Sequence, residues 1–454
     1  MRIIVAGAGE VGFNIARWLA KEGHSVALID QNEERLARSA ELLDIQTVVG
    51  KCSVPAVLAE AGATDADLLV AVTNVDEVNM VACMVAEQQF HIPHKIARIR
   101  EVGYAAMGDF LSGPATGIDL VIHPEMEAAA RLQRLIDLPG VTDVLEFGDG
   151  ALRLAACQVA EGSPLVGQPL KKSFTPSDEH RVLVGAILRK GRVIIPRGAD
   201  RVQAGDQIYL MGRPDDLRAR LPEVGIAGAA ISNVVIVGGG QIGLAVARHL
   251  QGRNLTVKII EPDEERCAFL SEELHRAIVL RGQITDVDLM REENVGSCDL
   301  FLAVSDDEED NMLACLLAKR MGAAKVMCLL NRSEYVPLAP SLGIDAALSP
   351  RLSTVGAVQR FLRKGRVLAV DQLVEDQAEI IEAVALQGSD IVGRPLAKID
   401  FPEDAILAAI IHDGESRIPG GDDVVELEDR VVIIALKKAL KKVEKTLSLK
   451  PTAW

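Results

Sequence analysis

The chain offers no stretch from which a membrane helix can be built: none of its apolar runs approaches the ~18 residues that spanning a bilayer requires. It begins on a strand and not on a charged-then-apolar leader, so no secretory signal is expected. A basic surface is missing too. With 49 Lys and Arg against 65 Asp and Glu the net charge is −16, which argues against nucleic acid as a partner. The cysteines, Cys52, Cys83, Cys157, Cys267, Cys298, Cys315 and Cys328, include no C-x-x-C pair and mostly lie in apolar runs, so they read as reduced core residues. Histidine is scattered. His91 and His94 flank Pro93 with no acid or cysteine beside them, a poor basis for a metal site, and no metal is expected. These absences leave a soluble cytoplasmic protein. At 454 residues, nearly half of them apolar, three or four domains are expected.

What is present is a glycine turn between a strand and a helix. Ile3-Ile4-Val5-Ala6 runs into Gly7-Ala8-Gly9-Glu10-Val11-Gly12, and the residues from Phe13 to Ala20 continue with helical spacing. A second apolar run, Ser25 to Ile29, ends in Asp30, close to the ~20-residue spacing at which a carboxylate meets the ribose of a dinucleotide. Gly7 permits the tight turn, Gly9 lets backbone N–H groups reach a pyrophosphate, and Gly12 lets helix and strand close together. The helix N-terminus adds partial positive charge. A carboxylate accepts from a ribose 2′-hydroxyl and repels a 2′-phosphate, so NAD(H) is expected over NADP(H).

The same device occurs twice. Val234 to Val237 leads into Gly238-Gly239-Gly240-Gln241-Ile242-Gly243, and Thr256 to Ile260 ends in Glu261; Gly238 lies 231 residues after Gly7, and Glu261 lies 231 after Asp30. Asp67 to Thr73 parallels Asp299 to Ser305, and Asn79-Met80 parallels Asn311-Met312. The segments after each Rossmann-like stretch also match, Ser163 to Leu170 with Ser389 to Leu396. The period is far too long for a solenoid and marks duplication of a two-part module.

Alternating strands and helices over residues 1–122 predict a doubly wound parallel sheet of order 3-2-1-4-5-6. Thr73 and Asn74 then end the fourth strand opposite the glycine turn, and Arg98 in the fifth strand either offers a guanidinium to anionic groups or makes a surface ion pair. Residues 123–139 read as a connecting helix and 140–222 as a small α+β domain rich in short strands. Residues 223–231 read as a linker, extending back to Leu221 and Pro222. The second half repeats this as a Rossmann-like domain over 232–348, a connecting helix over 349–365 and a small α+β domain over 366–454. The lysine-rich tail places Leu436, Leu440, Val443 and Leu447 on one face, expected to pack on its own domain.

Paired Rossmann modules, each followed by a small module with an S-x-L-x-G-x-x-L signature, resemble the RCK (or KTN) family of Trk-type regulators of potassium transport. The resemblance covers essentially the whole chain and rests on Gly7 to Gly12 with Asp30, Thr73-Asn74, Ala97-Arg98-Ile99-Arg100 and the two small-domain signatures. It implies a peripheral regulatory subunit on the cytoplasmic face of the inner membrane. Such a subunit assembles as a ring, a homotetramer or dimer of dimers, and gates a separate potassium-transporting membrane subunit (TrkH- or TrkG-like). It implies NAD+ or NADH as ligand and, in several members, ATP or ADP. Carried over, the first site is Gly7, Ala8, Gly9, Glu10, Val11, Gly12, Asp30, Thr73, Asn74 and Arg98; the second is Gly238, Gly239, Gly240, Gln241, Ile242, Gly243 and Glu261. The second half departs from the first: Ser305-Asp306 replaces Thr73-Asn74, the acids Asp307, Glu308 and Glu309 follow, and Leu329 or Leu330 stands where Arg98 would. Weaker binding there is expected from like-charge repulsion. The rival class is a nicotinamide-dependent oxidoreductase. It needs an acid or base near the nicotinamide, for which the small domains offer His180 and His412, and neither matches the other across the repeat.

Overall fold

A computed structural model of the chain describes residues 1–105, 108–111, 113, 116–174, 180–226, 228, 231–332, 335–362, 367–374 and 377–447. Parts of the expected linker (227, 229, 230), of the second connecting helix (363–365), the first residue of the second small domain (366) and the tail (448–454) lie outside the described residues.

The first sheet is formed by β1 (Arg2–Ala6), β2 (Ser25–Asp30), β3 (Gln46–Val49), β4 (Leu68–Ala71), β5 (His94–Arg98) and β6 (Leu120–Ile122), in the order β3-β2-β1-β4-β5-β6. All its pairings are parallel. Covered on both faces, β1 and β4 are near-continuous buried apolar runs, as parallel strands between helix layers must be. The first small domain is an antiparallel sheet of β7 (Val141–Phe147), β8 (Leu152–Gln158), β9 (Val182–Arg189), β10 (Arg192–Ile194) and β11 (Gln207–Gly212), ordered β10-β9-β11-β8-β7. The second half repeats both. β12 (Asn233–Val237), β13 (Thr256–Glu261), β14 (Ala277–Arg281), β15 (Leu300–Ala303), β16 (Lys325–Leu329) and β17 (Ala346–Leu348) order as β14-β13-β12-β15-β16-β17. β18 (Val367–Val374), β19 (Ala378–Val384), β20 (Ala405–His412), β21 (Glu415–Arg417) and β22 (Arg430–Leu436) order as β18-β19-β22-β20-β21. The fold is two Rossmann-like doubly wound sheets, each followed by a small α+β domain. One element differs from the sequence reading: Leu221 and Pro222 close a helix, Pro214–Glu223, whose Leu217 and Leu221 are buried. The tail does pack inward, with Val443 and Leu447 buried against Ile433 and Ala435 of β22.

The halves are joined crosswise. The connecting helix Pro124–Asp137 leaves the first sheet and packs on the helix Gln241–Gln251 of the second half, where Leu132 and Leu135 share a core with Leu244 and Ala247. At the rim Gln133 Nε2 donates to the carbonyl of Ala245 at 3.1 Å, and Asp137 takes His249 and Arg253. Reciprocally, the helix Pro350–Leu362 packs on Glu10–Lys21 of the first half, and Ala357, Val358 and Phe361 join the core of Val11, Ile15 and Leu19. The two small sheets meet face to face through Phe147, Leu154 and Met211 on one side and Ile380, Ile411 and Ile434 on the other. A single chain thus builds an internal dimer in which each glycine-turn helix is braced by the other half. Phe361→Ala should cost about 3–5 kcal/mol, the usual range for emptying a buried aromatic site. A shifted urea midpoint would report it; an unchanged midpoint would mean that the exchanged helix contributes little.

The small domains differ at one matched pair. In the first, buried Asp206 accepts from Arg189 Nε at 2.8 Å and from the amide of Gln203. In the second, buried Asp429 accepts from His412 Nδ1 at 2.6 Å and from the amide of Glu426. The Asp429 hydrogen bond and charge hold the His412 pKa above its ordinary value. A raised folded-state pKa gives a contribution that is complete below the unfolded value near 6.5 and lost as pH rises through the folded one. The stability of the second small domain should therefore fall across that window, and His412→Arg should flatten the profile. A profile unchanged by that substitution would remove His412 as its origin.

Candidate functional site

The site starts from the way β1 turns into its helix. Gly7 takes φ +111°, and its amide donates to the carbonyl of Ile29 at 2.8 Å. A Cβ on Gly12 would lie 1.7 Å from the Gly7 carbonyl oxygen, so this glycine is fixed by backbone contact. Gly9 differs from both. It is the N-cap of Glu10–Lys21 in extended conformation, and a Cβ there would meet nothing within 4 Å. Its surroundings are open space.

Asp30, at the end of β2, accepts from the amide of Ala8 at 2.6 Å through Oδ2 and from that of Asn32 at 2.8 Å through Oδ1. It therefore fixes the glycine turn as well as facing the cavity. Across the turn, fully buried Asn79 organises the ends of β4 and β5. Its Oδ1 accepts from the Thr73 amide (2.9 Å) and hydroxyl (2.7 Å), while its Nδ2 donates to the carbonyls of Thr73 (3.1 Å) and Arg98 (2.8 Å). Asp76 Oδ2 accepts from the amides of Arg100 and Glu101. Sequence reasoning paired Asn79 with Asn311 across the repeat without giving either a role. The available signal was an asparagine repeated at the matched position of both halves, a few residues after the fourth strand.

These elements enclose a cavity of about 870 Å³, a size suited to a small-molecule ligand. Gly7, Ala8, Gly9, Glu10, Val11, Asp30, Thr73, Asn74 and Arg98 all line it; Gly12 does not. Seven arginines line it as well: Arg17, Arg35, Arg38, Arg98 and Arg100 from the first half, Arg332 and Arg351 from the second. Arg351 pairs with Glu10, and Arg332 pairs with Glu308 and Glu309. Arg98 is 6% exposed, its Nε has no hydrogen-bond partner, and it forms no ion pair among the described residues. Burial, with Arg100 adding repulsion that Glu125 and Asp76 partly offset, pushes its pKa down to about 10. A desolvated cation with no direct ion-pair partner makes the cavity attractive to an anion. Cys52, also in the wall, has its pKa pushed up to about 11 by burial, which leaves it an unreactive thiol.

A second cavity of about 520 Å³ adjoins the first, and Arg98, Arg100 and Arg351 line both. Gly240, Gln241 and Ile242 line it with Ser305 and Asp306; Gly238, Gly239, Gly243 and Glu261 do not. The acids after Ser305 are largely engaged. Asp307 caps the helix Glu308–Met321, and buried Glu308 accepts from the amides of Asn331 and Arg332. Asp306 alone among them lines the cavity, where Glu125 of the first half joins it, so the repulsion comes from these two acids and not from the run after Ser305. Leu329 ends β16 in the register that Arg98 holds in β5.

His180 and His412 pair with Asp216 and Asp429 in the small domains and line neither cavity. No helix among the described residues is long and apolar enough to cross a membrane.

Comparison with known proteins matches this architecture along the chain. The TrkA-N domain family matches residues 3–124 and 234–350, and the TrkA-C domain family matches residues 154–221 and 380–448. The Trk system potassium uptake protein TrkA of Halomonas elongata is 41% identical over 451 residues, covering 98% of both chains. That of Vibrio alginolyticus is 38% identical over 445 residues, covering 96% of each. Among solved structures, the GsuK RCK domain aligns over 99% of this chain and 95% of its own, with TM-score 0.61 and 17% identity. The GsuK channel bound to NAD aligns over 99% of this chain and 79% of its own, with TM-score 0.61 and 16% identity. At that identity the likeness is one of fold, that of tandem RCK domains. The chain belongs to the family of Trk system potassium uptake proteins TrkA.

Proposed function

We propose that this chain is the nucleotide-sensing regulatory subunit of a Trk-type potassium uptake system, with NAD(H) and the adenine nucleotides ATP and ADP as ligands of the first cavity. The observation that carries the reading is Arg98, buried and unpaired at the carboxyl edge of the sheet, facing a glycine turn whose amides and open Gly9 suit a pyrophosphate. Gly7 to Val11, Asp30, Thr73, Asn74 and Arg98 are the residues proposed to hold it. The GsuK channel in its NAD-bound form, and GsuK bound to ADP, share the fold class and lend support to both ligands.

A regulatory role is favoured over hydride transfer. The two carboxylates of the first cavity are already engaged, Asp30 by two amides and Glu10 by Arg351, so neither is placed as a free general base. The crosswise braces give ligand binding a lever. The glycine-turn helix Glu10–Lys21 carries the second half's connecting helix on its back, so a ligand that draws Arg351 away from Glu10 shifts one half against the other. A ligand drives such a shift only by its differential affinity for the two arrangements, and ~100-fold preference supplies about 2.7 kcal/mol. The proposed partner is a potassium-transporting membrane subunit (TrkH- or TrkG-like), contacted from the cytoplasmic face by a ring of these chains. Potassium flux through the reconstituted complex, with and without NAD+, NADH and ATP, is the test. Flux indifferent to all three would reduce the chain to a structural subunit. On cofactor choice, Asp30 should make NADPH bind at least ~10-fold more weakly than NADH by calorimetry. Equal affinities would mean that Arg35 and Arg38, at the same end of the cavity, neutralise the 2′-phosphate.

A further inference from the structure

The two glycine turns carry the same motif, yet the space beside them differs. The first cavity extends past Asp30 to Arg35, Arg38, Ser39 and Gly50, the end at which a nucleoside would lie. The second reaches Arg266, the match of Arg35, and includes neither Glu261 nor Phe269 nor Leu270.

The cause lies in matched positions of the helix after each acid. Arg35, Arg38 and Ser39 of the first half correspond to Arg266, Phe269 and Leu270, each 231 residues later. Arg35 and Arg38 are exposed on the cavity wall, and Ser39 turns its hydroxyl back to the carbonyl of Arg35 at 2.7 Å. In the second half Leu270 is fully buried, and a Cβ on Gly239 would lie 2.3 Å from its Cδ1. Arg266 Nε donates to the carbonyl of Gly239 at 2.7 Å while its guanidinium stacks 4.7 Å over the Phe269 ring. Glu261, one methylene longer than Asp30, is 9% exposed and caps the Gly239 amide at 2.7 Å. The chain's own side chains occupy the nucleoside half of the site.

The phosphate half stays open. Gly240 caps the helix Gln241–Gln251, and a Cβ there would meet nothing within 4 Å. Gln241 lines this cavity, and so does Arg98 of the first half, buried and with its Nε unpartnered, together with Arg100 and Arg351 and the acids Glu125 and Asp306. We infer that the second glycine turn recognises a phosphate group and excludes a nucleoside, with Arg266 and Leu270 as the residues that set this specificity. The phosphate is the terminal group of a nucleotide seated in the adjoining first cavity, or a free inorganic one. The inference rests on the nucleotide reading of that first cavity.

The test counts ligands on the full chain. By native mass spectrometry and equilibrium dialysis, the wild type should hold one NADH or one ATP, and Arg266→Ala with Leu270→Ser should hold two. Two equivalents in the wild type overturn the inference and leave the proposed function standing; none overturns both. A doubly substituted chain that folds and still holds one overturns it as well. Should that variant fail to fold, Gly9→Val decides: it should hold no nucleotide, whereas a second nucleoside site would leave one. For the phosphate, inorganic pyrophosphate is titrated into Gly9→Val, with and without Gln241→Glu. Binding that falls at least ~10-fold on Gln241→Glu identifies a free anion. No pyrophosphate binding, with Gln241→Glu weakening ATP at least ~10-fold and AMP not at all on an otherwise wild-type chain, identifies the terminal phosphate. Absence of both effects overturns phosphate recognition here.

Discussion

Gly9→Val abolishes nucleotide binding and leaves the fold nearly as stable as before. Both halves of that expected result follow from the same geometry. With φ −66° and ψ 179° Gly9 sits in extended backbone that valine adopts readily, and nothing within 4 Å of its would-be Cβ resists the side chain. The loss of a glycine N-cap costs no more than about 1 kcal/mol. That open space is where backbone amides must approach a pyrophosphate, so three added carbons stand in the ligand's place. A loss of at least ~100-fold in NADH and ATP affinity is expected by calorimetry, with the urea midpoint little changed. Gly12→Ala supplies the contrast. Its Cβ would overlap the Gly7 carbonyl at 1.7 Å, so it should destabilise the first sheet before any ligand is added. If Gly9→Val binds NADH within a few-fold of wild type, the glycine turn is a packing device and the ligand lies elsewhere.

The distinction between these glycines was only half legible in the sequence. Spacing alone announced strand, turn, helix and terminal acid, because each rests on a local requirement: β-formers, a positive φ at Gly7, helical periodicity from Phe13, an acid after an apolar run. The duplication was equally plain, since the offset stays at 231 or 232 residues across the Rossmann-like stretches and falls only to 226 at the small-domain signatures. The crosswise exchange of connecting helices was invisible. Leu132 and Phe361 announce an apolar face, and nothing local says which half will cover it. Leu221 and Pro222 were misread because proline near a helix end resembles a linker, while Leu217 and Leu221 close the helix by packing. At the second site attention fell on the acids after Ser305. The residues inferred to decide its specificity are Arg266, which turns onto the Gly239 carbonyl, and Leu270, which replaces Ser39 at the repeat offset and packs beside Gly239. A motif lists the residues that touch a ligand. It is silent on neighbours that take the ligand's room.

Arg98→Met should trade binding for stability, and the trade separates a ligand-binding arginine from a structural one. The Arg98 guanidinium is buried, lacks an ion-pair partner among the described residues, and has a pKa pushed down to about 10. A base whose folded pKa lies below its unfolded one destabilises the fold at every pH below the folded value, and the penalty is relieved only above about 10. At neutral pH the free protein therefore carries a cost on the order of 3 kcal/mol. Methionine has similar length and no charge, so it can fill the same space, and the free protein should gain about 1–3 kcal/mol. A phosphate beside Arg98 reverses the sign. The ligand supplies the missing counter-charge in a desolvated site, and truncating such a partner costs about 2–5 kcal/mol, a loss of roughly 30-fold or more in affinity. NADH and ATP should accordingly raise the melting temperature of the wild type strongly and that of Arg98→Met weakly. The two melting curves should approach or cross as nucleotide is added. A variant that is less stable than wild type without ligand, and binds nucleotide equally well, would make Arg98 a structural residue and remove the observation on which the ligand reading stands.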